Sequence, residues 1–175
     1  MILGLDISTN RIGITAMKED EELVFCGVLK ANKKLSLTER CLELEKFIKN
    51  LNLEFNMIFI EEPFMMFSGG KTTAHTMAKL QRFNGMCSFM IRNSFDIEPI
   101  LIPANKARKT VGVLVKRGMC TKTNVINFVQ QKYPKFQVFY TKHGNFKPGT
   151  DDKADAVVVA LAGMEILNEK RHENN

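Results

Sequence analysis

The sequence predicts one α/β domain, in which a mixed β-sheet carries helices on both faces. Three short strand-like segments open the chain with only turns between them, and two later segments are apolar on both faces. Segments with helical spacing alternate with and follow these strands. Because no repeat, low-complexity stretch or linker interrupts residues 1–175, the whole chain is expected to form a single domain.

The strands are predicted from β-branched and apolar runs that end at turns. The first three are joined by Asn10-Arg11 and by Lys18–Glu21, so an antiparallel meander is the simplest arrangement. The last two are apolar on both faces and are expected to be buried under helices. The predicted strands are Met1–Ser8, Ile12–Met17, Glu22–Lys30, Met57–Glu61 and Glu98–Ile102.

Helices are predicted from apolar residues at helical spacing and from start signals. Ser36 and Glu39 have the spacing of a capping box, and Pro103 suits the first turn of a helix. The predicted helices are Ser36–Asn50, Thr72–Asn93, Pro103–Lys109, Lys122–Gln131 and Asp151–Glu169, with loops at Pro63–Gly70 and Thr141–Thr150.

Composition places the chain among cytoplasmic globular proteins. It is 45% apolar and 25% charged, which excludes disorder and fibrous structure. Its four cysteines form no C-x-x-C pair, which favours buried thiols in a reducing compartment over a zinc site. No apolar run approaches the roughly 18 residues of a membrane span, and Asp6 interrupts the first apolar stretch, so neither a membrane partner nor a signal peptide is expected.

The net charge of +6 hides a sharp partition along the chain. Residues 63–150 hold 14 basic and 2 acidic side chains, whereas residues 1–62 and 151–175 are each net acidic. No acid lies between Glu98 and Asp151. Such a segment suits a polyanionic partner, usually nucleic acid, although a merely basic surface explains the charge alone equally well.

Four carboxylates lie where the sequence makes a carboxylate costly or places it at a ligand-binding edge. Asp6 lies within an otherwise buried first strand, and Glu61 ends the apolar run of a central strand, where open α/β sheets bind ligands. Asp152 and Asp155 share one face at the start of the last helix. Taken singly, Asp6 can be a satisfied core acid, Glu61 can end its strand in water, and Asp152 can be a first-turn residue that complements the helix dipole. Together they predict a site for hard divalent ions such as Mg²⁺ or Mn²⁺, two of which would activate water against a phosphodiester.

At these residues the chain resembles RuvC-type Holliday junction resolvases over nearly its whole length. The matching segments keep the order of that family: Gly4-Leu5-Asp6-Ile7-Ser8, Ile60-Glu61-Glu62-Pro63-Phe64-Met65, Pro103-Ala104 with Thr110-Val111, Lys122-Thr123-Asn124-Val125, and Asp152-Lys153-Ala154-Asp155-Ala156. The resemblance implies an RNase H-like five-stranded mixed sheet with three antiparallel strands and parallel additions. It also implies a homodimer that nicks opposing strands of four-way DNA, with Mg²⁺ held by Asp6, Glu61, Asp152 and Asp155.

The same resemblance implies where DNA is contacted. The base-probing aromatic of the family falls on Phe64, and its basic positions fall on Arg108 and Lys122. Further cations flank the stretch before the last carboxylates and are expected to contact DNA beside them: Lys109, Lys116 and Arg117. Phe64 capping the core under a loop is the alternative. Ser8-Thr9-Asn10 departs from the family pattern, so the preferred cleavage sequence stays open.

Partner and function are predicted with stated alternatives. The helix at 72–93 has a wider apolar arc than one core-facing stripe needs, which fits a homodimer packed along it, although such an arc is more often core. The predicted function is a Mg²⁺-dependent endonuclease that resolves Holliday junctions and other branched DNA. The alternatives are another RNase H-like nuclease, acting on RNA or an RNA/DNA hybrid, and a non-catalytic junction-binding protein.

Overall fold

The strands and helices follow the predicted order. The computed structural model describes residues 1–63, 73–113 and 120–173. Within these ranges the strands are β1 (Ile2–Ile7), β2 (Arg11–Met17), β3 (Leu23–Lys30), β4 (Met57–Glu62) and β5 (Ile100–Pro103). The helices are α1 (Leu37–Asn50), α2 (Ala74–Phe95), α3 (Ala104–Thr110), α4 (Thr121–Lys132) and α5 (Thr150–Glu173).

The sheet places its strands in the order β3-β2-β1-β4-β5. β1, β2 and β3 form the predicted antiparallel meander, and β4 and β5 add in parallel beside β1. β1 is therefore the central strand, and β4 lies directly beside it. The carboxyl ends of β1, β4 and β5 meet at one edge of the sheet, which is the edge where parallel sheets bind ligands.

Helices cover both faces, as predicted. α3, α4 and α5 enclose one apolar core with Ile2, Met17 and Phe59 of the sheet. α1 and α2 enclose a second core with Leu3, Leu5 and the neighbouring strand residues that point the other way. Successive side chains of β1 point alternately into these two cores, so the position of a residue in β1 determines which face of the sheet it occupies.

The expectation that 98–102 forms a buried strand is wrong. β5 is the edge strand, and Ile100 and Leu101 are 41% and 44% exposed while Ile102 is buried. No strand among the described residues pairs with its outer side, and its apolar residues Ile100 and Leu101 stay in contact with water. Pro103 ends β5 and precedes α3, which begins one residue later than predicted.

Two glycines let α5 lie directly on the sheet. A Cβ added at Gly4 of β1 would lie 2.4 Å from the Ala156 carbonyl oxygen, and one at Gly13 of β2 would lie 1.9 Å from that of Asp152. Any larger residue would therefore push the first turns of α5 away from β1 and β2. α5 also carries the apolar run of the sequence, although no helix in the described ranges is long and apolar enough to cross a membrane.

We expect Gly13→Ala to lower the free energy of unfolding by about 3 kcal/mol, because the added methyl group overlaps the backbone of α5. Gly85→Ala is the matched control. Gly85 lies in α2 with no atom within 4 Å of an added Cβ, so alanine should stabilise the helix by about 0.5–1 kcal/mol. Urea unfolding measures both, and equal stabilities for the two variants would contradict the close approach.

Candidate metal and nucleic-acid site

Strand register brings Asp6 and Glu61 together. The parallel pairing of β1 with β4 aligns Leu5 with Ile60, so Asp6 and Glu61 follow side by side at the carboxyl ends of their strands. Gly4 and Phe59 both face α5, and the residue two positions on in each strand faces the same way. Both carboxylates therefore lie on the α5 side of the sheet, and both are half-buried.

The first turns of α5 place Asp152 and Asp155, the other two predicted acids, near the carboxyl ends of β1 and β4. Gly13, whose Cα pairs with that of Asp6 across the ladder, meets the backbone of Asp152. Gly4 meets the backbone of Ala156, which directly follows Asp155. Residues from the beginning, middle and end of the chain thus come close together at one edge of the sheet.

Burial and mutual repulsion raise the pKa values of three of these acids. The pKa of Asp6 is well above its ordinary value, first because of burial and then because of the charges of Glu61 and Asp155. Burial and the charge of Asp155 raise the pKa of Glu61 to about 7, although the Arg108 guanidinium opposes the shift. The pKa of Asp155 rises to about 6, again first through burial.

These shifts have a consequence for stability. Because the folded-state pKa values of Glu61 and Asp155 lie above their ordinary values of 4.5 and 3.8, the folded protein binds more protons than the unfolded chain. Their contribution to folding is therefore unfavourable above pH 7 and fades as the pH falls toward the ordinary values. At neutral pH the site opposes folding unless cations neutralise it.

Cations from three elements surround the acids. On the β2 side, the Nε of Arg11 donates to Oδ2 of Asp152 at 2.9 Å. On the α4 side, Lys122 forms an ion pair with Asp151. The pKa of Asp151 is lowered because this pairing outweighs its burial. Arg108 of α3 lies near enough to Glu61 and Asp155 for its charge to oppose the rise in the pKa of both.

Among the described residues, Asp6, Glu61 and Asp155 have no direct cationic partner. Within residues 1–63, 73–113 and 120–173, none of the three side chains makes a hydrogen bond or an ion pair. Half-buried carboxylates that repel one another need positive charge from elsewhere to stay ionised. Their hard oxygen donors and their excess negative charge are what Mg²⁺ and Mn²⁺ require.

The carboxylates lie near one another but do not form a compact set of ligands. Among the described residues, no three His, Cys, Asp or Glu side chains stand in an arrangement that already encloses an ion. Repulsion between uncompensated acids and the hold of Arg11 on Asp152 both act against such an arrangement. The donor set fits hard divalent ions in chemistry and charge, and closing around an ion requires the side chains to move.

Three of the six residues predicted to bind DNA lie within the described ranges. Arg108 is half-buried beside the acids and donates to Asn105 at 2.9 Å, while Lys109 is exposed on the same helix. Lys122 lies in the first turn of α4 with its side chain 68% exposed. Phe64, Lys116 and Arg117 lie outside the described residues.

Sequence reasoning missed Arg11 as part of the site. It treats Asn10-Arg11 as a turn, whereas Arg11 begins β2. One signal was available: Arg11 stands two residues before Gly13, so both face the same side of the sheet. The pairing of Lys122 with Asp151 was missed as well, because 29 residues separate them and only the packing of α4 on α5 brings them together.

Comparison with known proteins identifies the fold. No protein-family model and no curated protein matches the sequence. Among solved structures, Thermus thermophilus RuvC in complex with a Holliday junction substrate has a TM-score of 0.69 at 13% identity. That match covers 96% of this chain and 94% of the other.

Two further structures agree. The yeast mitochondrial Holliday junction resolvase Ydc2 has a TM-score of 0.60 at 12% identity, covering 98% of this chain and 80% of its own. The fowlpox virus resolvase in complex with substrate Holliday junction DNA has a TM-score of 0.51 at 17% identity. That match covers 95% of this chain and 97% of the other. The chain has the fold of RuvC-type Holliday junction resolvases, which confirms the predicted RNase H-like architecture.

Proposed function

We propose that this protein is a divalent-metal-dependent endonuclease that cuts four-way and other branched DNA. The observation that carries the proposal is the convergence of Asp6, Glu61 and Asp155 at one sheet edge without direct cationic partners among the described residues. The fold supports the choice of substrate class, because two of the similar structures contain Holliday junction DNA. Acids kept at a cost to stability are typical of functional sites.

Asp6, Glu61, Asp152 and Asp155 would hold Mg²⁺, with Mn²⁺ as a substitute and two ions in each site. When bound, such ions activate water and stabilise the charge that develops on a phosphodiester. Asp6 and Glu61, on adjacent strands, supply fixed donors, because the parallel ladder sets their separation. Asp152 and Asp155 supply donors from α5, and Asp152 must first leave Arg11.

Cations around the acids would hold the DNA backbone. Arg108 lies beside Glu61 and Asp155, where it can contact a phosphate that approaches the acids. Lys109 and Lys122 extend positive charge along α3 and α4. Lys116 and Arg117 belong to the same basic stretch of sequence, and Phe64 would stack on a base near the cut.

We also propose that two copies of the chain pair through the second half of α2, around Phe89. Phe89 of α2 is 74% exposed and Leu42 of α1 is 55% exposed. Both line a groove between the two helices, with Cys41 and Met86 at its floor. An exposed aromatic beside an apolar groove is a suitable centre for a symmetric interface, and two active sites would allow two opposing strands to be nicked.

Asp6→Asn and Glu61→Gln should each lower the rate of junction nicking by about 1,000-fold or more, because each removes a charge needed to hold the ions. Binding to the junction should persist. The measurement compares a four-way junction, a flap, an RNA/DNA hybrid and single-stranded DNA in Mg²⁺, with Ca²⁺ as the non-catalytic control.

Glu62→Gln is the matched control, since Glu62 neighbours Glu61 on β4 and faces the other way. It should nick at the wild-type rate. Normal nicking by Asp6→Asn would contradict the metal site. Preferential cleavage of the hybrid would favour the RNA-directed alternative, and binding of the wild type without any nicking would favour a non-catalytic junction-binding protein.

Phe89→Asp should weaken self-association at least about 30-fold, because it places a charge at the centre of the proposed interface. Phe139→Asp is the control, since Phe139 is 52% exposed but lies far along the chain in the segment after α4. Sedimentation velocity separates monomer from dimer. A monomeric wild type at tens of micromolar, or a dimeric Phe89→Asp, would contradict pairing through α2.

A further inference from the structure

A basic cleft lies on the face of the sheet opposite the acids. It occupies about 330 Å³ between the segment that leads into α1 and the first half of α2. Arg40, His75, Lys79 and Arg82 line it, together with residues 35–37 and Ala78. We call it the α1–α2 cleft. None of its lining residues is acidic.

The cations of the cleft stand on one helix face and lack acidic partners. His75, Lys79 and Arg82 follow one another at spacings of four and three residues, which aligns them along α2. α2 itself contains no Asp or Glu. Within the described part of the chain, Lys79 and Arg82 make no ion pair, whereas Arg92 of the same helix pairs with Asp96 and Glu98.

Glu39, which precedes Arg40 on α1, is already engaged in a hydrogen bond. Glu39 accepts a hydrogen bond from the backbone of Ser36 at 2.7 Å in the predicted capping box. Arg40 is buried, and its guanidinium donates to carbonyl oxygens rather than to an acid. The cleft therefore keeps a net positive charge toward solvent.

Arg40 connects the cleft to the turn that follows Asp6. Its guanidinium donates to the Thr9 carbonyl oxygen at 2.7 Å and to those of Leu35 and Lys33 at 3.0 Å. Thr9 lies in the turn between β1 and β2, three residues after Asp6. The cleft and the acids thus border the same edge of the sheet from opposite faces.

We propose that the α1–α2 cleft binds the phosphodiester backbone of a DNA arm, at a distance from the strand held by the acids. The proposal rests on the proposed function for its ligand, branched DNA. A duplex that crosses the sheet edge at the turn of Thr9 would meet the acid site on one side and Lys79 and Arg82 on the other. Successive phosphates of such a backbone match cations spaced along one helix face.

The test is the salt dependence of junction binding in Ca²⁺ by fluorescence anisotropy. Lys79→Ala/Arg82→Ala should reduce the slope of log Kd against log salt by nearly 2, because two phosphate contacts are lost. Affinity near 0.1 M salt should fall on the order of 10-fold or more. Arg92→Ala, on the same helix but outside the cleft, should leave slope and affinity unchanged. Lys79→Arg/Arg82→Lys should restore both.

A second readout separates this proposal from the proposed function. In Mg²⁺, Lys79→Ala/Arg82→Ala should nick junctions more slowly than the wild type at low protein concentration, and the deficit should shrink as the protein approaches saturation, whereas Arg92→Ala should nick at the wild-type rate throughout. An unchanged salt slope in a variant with wild-type thermal stability would overturn the cleft while leaving the nuclease intact. A wild type that never nicks, combined with a reduced slope in the variant, would overturn the nuclease and support the cleft.

Discussion

Repulsion among buried carboxylates is the constraint on which this structure depends. Asp6, Glu61 and Asp155 share a small region at the carboxyl ends of β1 and β4, where burial and the neighbouring charges raise the pKa of each. Arg11 and Lys122 neutralise only the flanking acids Asp152 and Asp151. Packing elsewhere in the fold must therefore offset the unfavourable free energy of this charge. The close packing of α5 on Gly4 and Gly13 contributes to that packing and fixes the position of the first turns of α5.

Acidic and basic side chains lie in different parts of the structure. The acids converge at the start of α5, whereas α3 and the first turn of α4 carry cations beside them and α2 carries cations on the other face. A polyanion that approached this edge would be attracted by the cations on both sides but repelled by the acids between them. Divalent ions, as proposed, would offset this charge, because they neutralise carboxylates and are themselves attracted to phosphate.

Much of the fold could be predicted from local patterns. Strand alternation and the apolar runs determine which residues of β1 and β4 face α5, and that alternation places Asp6 and Glu61 on one side. The exposure of β5 could not be predicted, because an apolar run does not say whether a neighbouring strand covers its outer side. The pairing of Arg11 with Asp152 spans 141 residues, and only the packing of α5 on Gly13 brings these side chains together. Similar folds at 12–17% identity show how little sequence this architecture requires.

The most direct test of the account is thermal unfolding at pH 8 of the wild type and Asp6→Asn, each with and without Mg²⁺. Without metal, removing one repelling charge should raise the Tm of Asp6→Asn above that of the wild type by about 3–6 °C. Mg²⁺ should then raise the Tm of the wild type and leave that of Asp6→Asn nearly unchanged. A metal-free Asp6→Asn that is less stable than the wild type, or equal stabilisation of both proteins by Mg²⁺, would contradict a site of repelling acids that binds divalent ions.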